Sequence, residues 1–185
     1  MTAGNTQAKY PGKARGVTAS VHAERSREME FQENFDSQVA EPVCIGPTLH
    51  VSLTMRSEIN AVSDLVDRLM PLIKISHCVG GDERDVEIAV REALANAVLH
   101  GNKLDVEKKV YISCCIRPGS DLFIVIRDEG GGFDPSEVPD PTKVENITLD
   151  NGRGIFLMNV FMDDVHFERG GTEVHLYKCF KRGRE

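Results

Sequence analysis

A carboxylate and a run of glycines follow one apolar stretch of the chain, in the order Asp128-Glu-Gly130-Gly-Gly132. Asp128 is in phase with Ile124 and Ile126, so on a strand its carboxylate should point to the same covered face. A buried carboxylate needs hydrogen-bond donors, and the exocyclic amine of adenine is a suitable partner because it only donates while a carboxylate only accepts. The glycines allow a ligand to approach the backbone closely. Taken alone, the segment also fits an ordinary tight turn.

A second candidate site is the segment Gly152-Arg153-Gly154, which is predicted to begin a short helix over 152–160. The first turn of a helix presents free N–H groups and a partial positive charge, which favour phosphate groups. The guanidinium of Arg153 can add a fork of donors to phosphate oxygens. The segment is neither a Walker A loop nor a dinucleotide GxGxxG motif, and by itself it is weak evidence.

A third group consists of Glu92, Asn96 and His100, which recur at every fourth residue. On a helix this spacing puts a carboxylate, an amide and an imidazole on one face, among neighbours that are apolar or small. A single polar pair at this spacing more often marks a solvent-facing side of a helix. The stripe gains meaning only together with the other two groups.

Alternation and helical periodicity predict the elements that would position these groups. The order is a strand at 49–55, helices at 57–73 and 82–101, strands at 110–116 and 122–128, a helix at 152–160 and a final hairpin turning at Gly170-Gly171. Ser57 and Asp82 are candidate helix caps. This order predicts an α+β fold, in which one sheet is covered on a single face by helices. Residues 133–151 follow no pattern, which is typical of a disordered segment or a lid over a site.

The chain has 185 residues, which suits one domain, and 22 basic against 29 acidic residues, a net charge of −7. We therefore expect no general attraction to nucleic acid. Because the sequence contains no long apolar run, we also expect neither a membrane span nor a secretory signal. A cytoplasmic location is expected. The five cysteines form no CxxC pair, so we expect reduced thiols, with Cys114 and Cys115 as packing residues.

Residues 1–42 contain few large apolar side chains and are predicted to be a flexible N-terminal extension. A docking or targeting role for this extension is an open alternative. The regular patterns begin at Val43, so the predicted domain spans 43–185.

In combination, the three groups resemble the N, G1 and G2 boxes of the GHKL superfamily of histidine-kinase-like ATPases, and Gly171-Thr172 resembles its further GT motif. Within it, the segments EALANAVLHGN, DEGGGFDP and NGRGIFLMNVFMD are most similar to anti-sigma-factor serine kinases. The resemblance covers about 43–180. It implies a Bergerat-type two-layer sandwich, with a mixed, mainly antiparallel sheet.

The resemblance also implies roles for individual residues. Asn96 would bind a magnesium ion that bridges the phosphates of ATP, and Glu92 would be the general base for a serine hydroxyl. His100 belongs to the pattern, but we expect it to be a structural histidine. The residues implied in nucleotide binding are Asp128 and Thr172 at the adenine, Gly130 and Gly132 in the pocket wall, and Gly152, Arg153 and Gly154 at the phosphates.

The implied function is that of a serine kinase which phosphorylates a STAS-domain antagonist, holds a sigma factor and forms a homodimer. A sensor histidine kinase is disfavoured because such enzymes usually lack an acid at the position of Glu92. A gyrase- or chaperone-like ATPase is disfavoured because this sequence ends at residue 185, soon after the last motif. An ATP-dependent protein-binding module without kinase activity remains the open alternative.

Overall fold

The computed structural model describes residues 48–134 and 153–179, and in addition the backbone of the strand at 17–23. The strands are β1 (Val17–Ala23), β2 (Leu49–Arg56), β3 (Lys109–Arg117), β4 (Asp121–Asp128), β5 (Asp164–Glu168) and β6 (Glu173–Cys179). The α-helices are α1 (Ile59–Ser76), α2 (Glu83–Asn96) and α3 (Arg153–Phe161). A π-helical turn, Ala97–Gly101, continues α2, and a 3₁₀ turn, Arg169–Gly171, joins β5 to β6.

The described strands form one sheet in the order β1-β2-β3-β4-β6-β5. Every neighbouring pair is antiparallel, so the described sheet contains no parallel pair of the kind that a mixed sheet would have. The predicted α+β sandwich is otherwise confirmed. β4 lies between β3 and β6, and its last residue, Asp128, is in register with Val110 of β3.

The core fills the space between the helices and one face of the sheet, because alternate residues of each strand point to that face. Its largest fully buried side chains are Met55, Leu65, Leu69, Ile73, Leu94, Ile112, Ile116, Leu122, Ile124, Ile126, Met158 and Leu176. Residues of the other phase, Tyr111 and Val125, form a smaller cluster with Phe123. The helices therefore cover a single face, as the patterns predicted.

Sequence patterns did not predict β1, which pairs with β2 from Val17 opposite Met55 to Ala23 opposite Leu49. An edge strand is held by backbone hydrogen bonds and does not require a run of large apolar residues. The scarcity of such residues was therefore a poor guide to this segment. The division of the chain near residue 43 stays a prediction.

The predicted cap residue is wrong for α1 and is confirmed in position for α2. The N-cap of α1 is Glu58, and Ser57 is buried, with no hydrogen-bond partner for its hydroxyl among the described residues. Asp82 is at the N-cap of α2 but makes no side-chain cap bond, since its Oδ2 pairs with Lys178 Nζ at 3.1 Å. No helix of the described residues is long and apolar enough to cross a bilayer.

The cysteine prediction is confirmed in part. Cys78 and Cys114 are buried free thiols, and burial raises the pKa of both, so they remain protonated. Cys115 is disulfide-bonded, so its assignment as a reduced packing residue was wrong. Neighbours on a strand face opposite sides of the sheet, and the apolar core contains Cys114 but not Cys115. Two neighbouring cysteines in the same local sequence therefore lie in different environments.

Candidate functional site

A cavity of about 550 Å³ brings the three sequence motifs together. This volume is within the range of small-molecule and cofactor sites. Its walls come from the end of α2 and its π-helical turn, the end of β4, the first turn of α3 and the start of β6. The predicted site residues that line it are Glu92, Asn96, Asp128, Gly132, Arg153, Gly154 and Thr172.

The polar stripe on α2 faces this cavity. Glu92, Asn96 and His100 all line it, while Val90 and Leu94 on the same helix are buried in the core. His100 is exposed, so its assignment as a satisfied structural histidine was wrong. The π-helical turn at 97–101 changes the spacing of the helix at this point, and such turns occur frequently at functional sites.

Asp128 ends β4 with its side chain 7% exposed, on the covered face that its phase with Ile124 and Ile126 predicted. Its Oδ1 accepts a hydrogen bond from the Gly130 N–H at 2.7 Å, and its own N–H donates to the Thr172 carbonyl at 3.0 Å. Burial raises the pKa of the Asp128 carboxyl, although the bond from Gly130 acts in the opposite direction. A buried carboxylate with remaining acceptor capacity is suited to a ligand that donates hydrogen bonds.

Glycines allow the segments around Asp128 to approach one another. A Cβ on Gly101 would lie 2.4 Å from Asp128 Cγ, and one on Gly130 would lie 2.1 Å from the Gly101 carbonyl oxygen. Gly130 thus packs against Gly101 and is not among the residues that line the cavity. Gly132 lines it with φ +75°, and a Cβ there would lie 2.0 Å from the Gly170 carbonyl oxygen. Both glycines therefore shape the wall through backbone contacts.

The first turn of α3 lies directly against the polar stripe of α2. A Cβ on Gly154 would lie 2.9 Å from Glu92 Oε2 and 3.0 Å from Asn96 Nδ2. Arg153 is exposed at the rim of the cavity. Gly154 therefore brings the helix start that was predicted to bind phosphates next to the carboxylate of Glu92 and the amide of Asn96. Gly152 lies outside the described residues, as does the predicted lid from residue 135 onward.

The apolar part of the cavity was missed by sequence reasoning. It includes Ile126, Met158, Phe167 and Val174, which come from β4, α3, β5 and β6. Each residue fits the core pattern of its own element, so no local signal separates a cavity wall from ordinary core. A planar, weakly polar ring such as a purine matches this surface.

The oxygen atoms near Gly154 fit a magnesium ion held mainly by phosphates. Asn96 Oδ1 would lie 3.2 Å and Glu92 Oε2 would lie 2.9 Å from a Cβ on Gly154. Magnesium prefers oxygen ligands and usually binds through one or two protein groups plus substrate phosphates. Among the described residues no cluster of three or more His, Cys, Asp or Glu could hold a metal ion.

Residues 55–178 match the protein family described as the histidine kinase-like ATPase domain. The match covers most of the chain, and this protein therefore belongs to that family. Membership in this family implies that the protein binds ATP.

More specifically, the chain is similar to proteins named anti-sigma F factor. It is 33% identical over 105 residues to that of Bacillus subtilis (strain 168), covering 54% of this chain and 71% of the relative. It is 35% identical over 99 residues to that of Bacillus thuringiensis (strain Al Hakam), covering 51% and 67%. With the protein from Heyndrickxia coagulans it shares 34% identity over 97 residues, covering 50% and 66%.

Proposed function

We propose that this protein binds Mg–ATP in the cavity and acts as a serine protein kinase of the anti-sigma type. Its substrate is a serine on a STAS-domain antagonist protein. The observation that carries the proposal is the contact of Gly154 with Glu92 and Asn96, because it joins a potential base and a potential metal ligand to a phosphate-binding helix start.

At the adenine end, Asp128 accepts a hydrogen bond from the exocyclic amine. The Asp128 carboxylate is 7% exposed, so the bond forms away from bulk water and discriminates strongly. Thr172 lines the cavity beside it, and its hydroxyl donates to the Arg169 carbonyl at 3.1 Å. The apolar residues of β4, β5, β6 and α3 pack against the faces of the purine.

At the phosphate end, Asn96 supplies an oxygen to the magnesium ion, and Arg153 with the first turn of α3 binds phosphate oxygens. When bound, the ion would offset part of the negative charge of the phosphates. Glu92 accepts the proton of the substrate hydroxyl, whose oxygen forms a bond to the γ-phosphorus. The bond from that phosphorus to the bridging oxygen breaks, and ADP leaves with the electron pair.

The relatives named anti-sigma F factor support a partner-switching role. We propose that one surface of the protein holds a sigma factor, that another engages the antagonist, and that two copies associate. A cytoplasmic location fits these partners.

The second candidate is an ATP-dependent binding module that phosphorylates nothing. It is favoured by the fact that a protein of this type also sequesters its partner, so ATP alone could control binding. Glu92 favours the kinase, because a carboxylate beside the phosphate site has no evident task in a module that only binds.

Glu92→Gln separates the two candidates. We expect the variant to bind Mg–ATP like the wild type, while single-turnover phosphotransfer falls by roughly 10²–10⁴-fold, since general-base assistance is lost. Glu87→Gln is the matched control: it makes the same chemical change on the same helix, at a side chain paired with Arg91 at 2.9 Å. It should keep full phosphotransfer.

The substrate can be found by capture from lysate with ATP and with ADP, followed by mass spectrometry for phosphoserine on the captured protein. Normal phosphotransfer by Glu92→Gln would refute the role of Glu92. ATP binding by the wild type without phosphorylation of any captured protein would support the binding module.

A further inference from the structure

We propose that Asn102 is a positioning residue for adenine recognition, because it fixes the backbone on which the Asp128 carboxylate is held. The inference rests on the proposed function and assigns a role to a residue that the nucleotide never needs to touch. Asn102 follows the π-helical turn and precedes β3. It is 1% exposed, an unusual degree of burial for an asparagine outside regular structure.

Both ends of the Asn102 amide bind backbone groups of different segments. Its Nδ2 donates to the Lys109 carbonyl at 2.9 Å, and its Oδ1 accepts from the Glu129 N–H at 2.9 Å. The backbone N–H of Asn102 donates to the Ala97 carbonyl at 2.8 Å. One buried residue thus connects the π-helical turn after α2, the start of β3 and the end of β4.

The segment around Asn102 is strained and requires such connections. Lys103 and Leu104 adopt φ values of 57° and 60°, in the left-handed region that non-glycine residues rarely occupy. The N–H of Leu104 donates to the Val98 carbonyl at 2.9 Å. Strained backbone of this kind persists only where its surroundings hold it, and it clusters at functional sites.

Two contacts couple the position of Asn102 to that of Asp128, and both are packed too closely to admit a Cβ atom. Gly101, the preceding residue, is so close to Asp128 that a Cβ would lie 2.4 Å from the Asp128 Cγ. Glu129, which Asn102 binds, separates Asp128 from Gly130, and Gly130 packs against the Gly101 carbonyl. Asn102 therefore fixes both sides of the contact that places the carboxylate, and a displacement of about 1 Å would misalign its bond to the amine.

A second connection at this corner of the sheet explains why the fold itself should tolerate the loss of Asn102. The Glu129 side chain accepts from the Lys109 N–H and from the Tyr111 hydroxyl, each at 2.8 Å. These bonds hold β3 to the end of β4 without Asn102. Unlike these bonds, Asn102 also links this corner of the sheet to the π-helical turn after α2, which contains Gly101.

The test compares the affinities of the full-length protein for ATP and for purine riboside triphosphate, which lacks only the exocyclic amine. Asn102→Ala is expected to lower the ratio of the two affinities about fivefold, the value for one well-placed hydrogen bond. Asp121→Ala is the control. It removes a side chain 5% exposed at the other end of β4, on the order of 23 Å away, and should destabilise the protein while the ratio stays unchanged.

Two further measurements guard against a variant that folds poorly. Asn102→Asp keeps the shape and the oxygen that accepts from Glu129, so it should retain more of the discrimination than Asn102→Ala. Hydrogen exchange of the Glu129 amide, followed without nucleotide, should become faster in Asn102→Ala and stay slow in Asp121→Ala.

An unchanged affinity ratio in folded Asn102→Ala, with the wild type discriminating normally, would overturn this inference and leave the proposed function intact. A wild type that binds ATP no better than the analogue would instead refute adenine reading by Asp128, and the inference with it. Equal losses of discrimination in Asn102→Ala and Asp121→Ala would show that Asn102 is merely structural.

Discussion

Replacing Asp128 by asparagine should weaken ATP binding and, without nucleotide, raise the free energy of unfolding. The buried carboxylate favours binding of the ligand but destabilises the folded protein. The amide keeps an oxygen that can accept the hydrogen bond from the Gly130 N–H, which is 2.7 Å long in the wild type. It loses the charge and presents an NH₂ group toward the adenine amine. Losing a charge-assisted hydrogen bond costs about 1.5–3 kcal/mol, which corresponds to a roughly 10- to 150-fold weaker affinity for ATP.

Stability should change in the opposite direction. Burial raises the pKa of Asp128 in the folded protein above its ordinary value of about 4. A group of this kind contributes most to stability when protonated, and that contribution is lost as the pH rises through the folded-state pKa. Asparagine does not ionise, so the nucleotide-free variant should gain stability relative to the wild type between about pH 4 and pH 7.

Urea unfolding at several pH values, together with calorimetry of ATP binding, measures both effects. Asp121→Asn is a matched control on the same strand, where the carboxylate is paired with Arg117 and accepts from the Tyr177 hydroxyl. It should lose stability and keep ATP affinity. Near-normal ATP affinity in Asp128→Asn would refute adenine reading. A stability difference that shrinks toward neutral pH would refute the argument from burial.

Three further predictions concern the phosphate site, the glycines and the N-terminal region. Asn96→Ala should weaken magnesium-dependent binding of ATP, as titrations with and without magnesium would show; equal weakening in both would contradict a role as metal ligand. Gly154→Ala should leave thermal stability nearly unchanged, because the added Cβ meets the movable ends of Glu92 and Asn96, but should reduce phosphotransfer. Gly130→Ala should instead lower the free energy of unfolding by about 1–3 kcal/mol, since its Cβ would meet the backbone oxygen of Gly101; equal stability of the two variants would show that the backbone yields. A chain beginning at residue 43 lacks β1 and should unfold at lower urea concentration while still binding ATP; loss of ATP binding would show that the first 42 residues belong to the functional domain.

The site could be predicted from sequence where a role depends on local periodicity. The phase of Asp128 with Ile124 and Ile126 placed its carboxylate on the covered face of β4, and the structure confirms that position. The separation of four residues between Glu92 and Asn96 placed both on one side of α2, where they line the cavity. Backbone geometry sets these periods of 2.0 and 3.6 residues, so they hold whatever surrounds the element.

Other features depended on contacts between distant segments. No pattern around Cys115 distinguishes it from Cys114, yet one is disulfide-bonded and the other is a buried thiol. β1 pairs with β2, a strand far along the chain from it, and the pattern of residues 17–23 did not predict this pairing. His100 continued the helical stripe, and the structure places it within the π-helical turn Ala97–Gly101, exposed on the cavity.

The sequence by itself determined the motifs, the order of the elements and the face on which most candidate residues lie, because each follows from neighbours a few positions away. Only the tertiary structure decided that Gly154 meets Glu92 and that Asn102 connects the ends of three segments. The contact of Gly154 with Glu92 joins residues 62 positions apart, and that of Asn102 with Glu129 joins residues 27 positions apart, so packing of the whole core sets these distances. A close approach at such separations leaves no periodic trace in the chain, and so it becomes visible only when the elements are assembled.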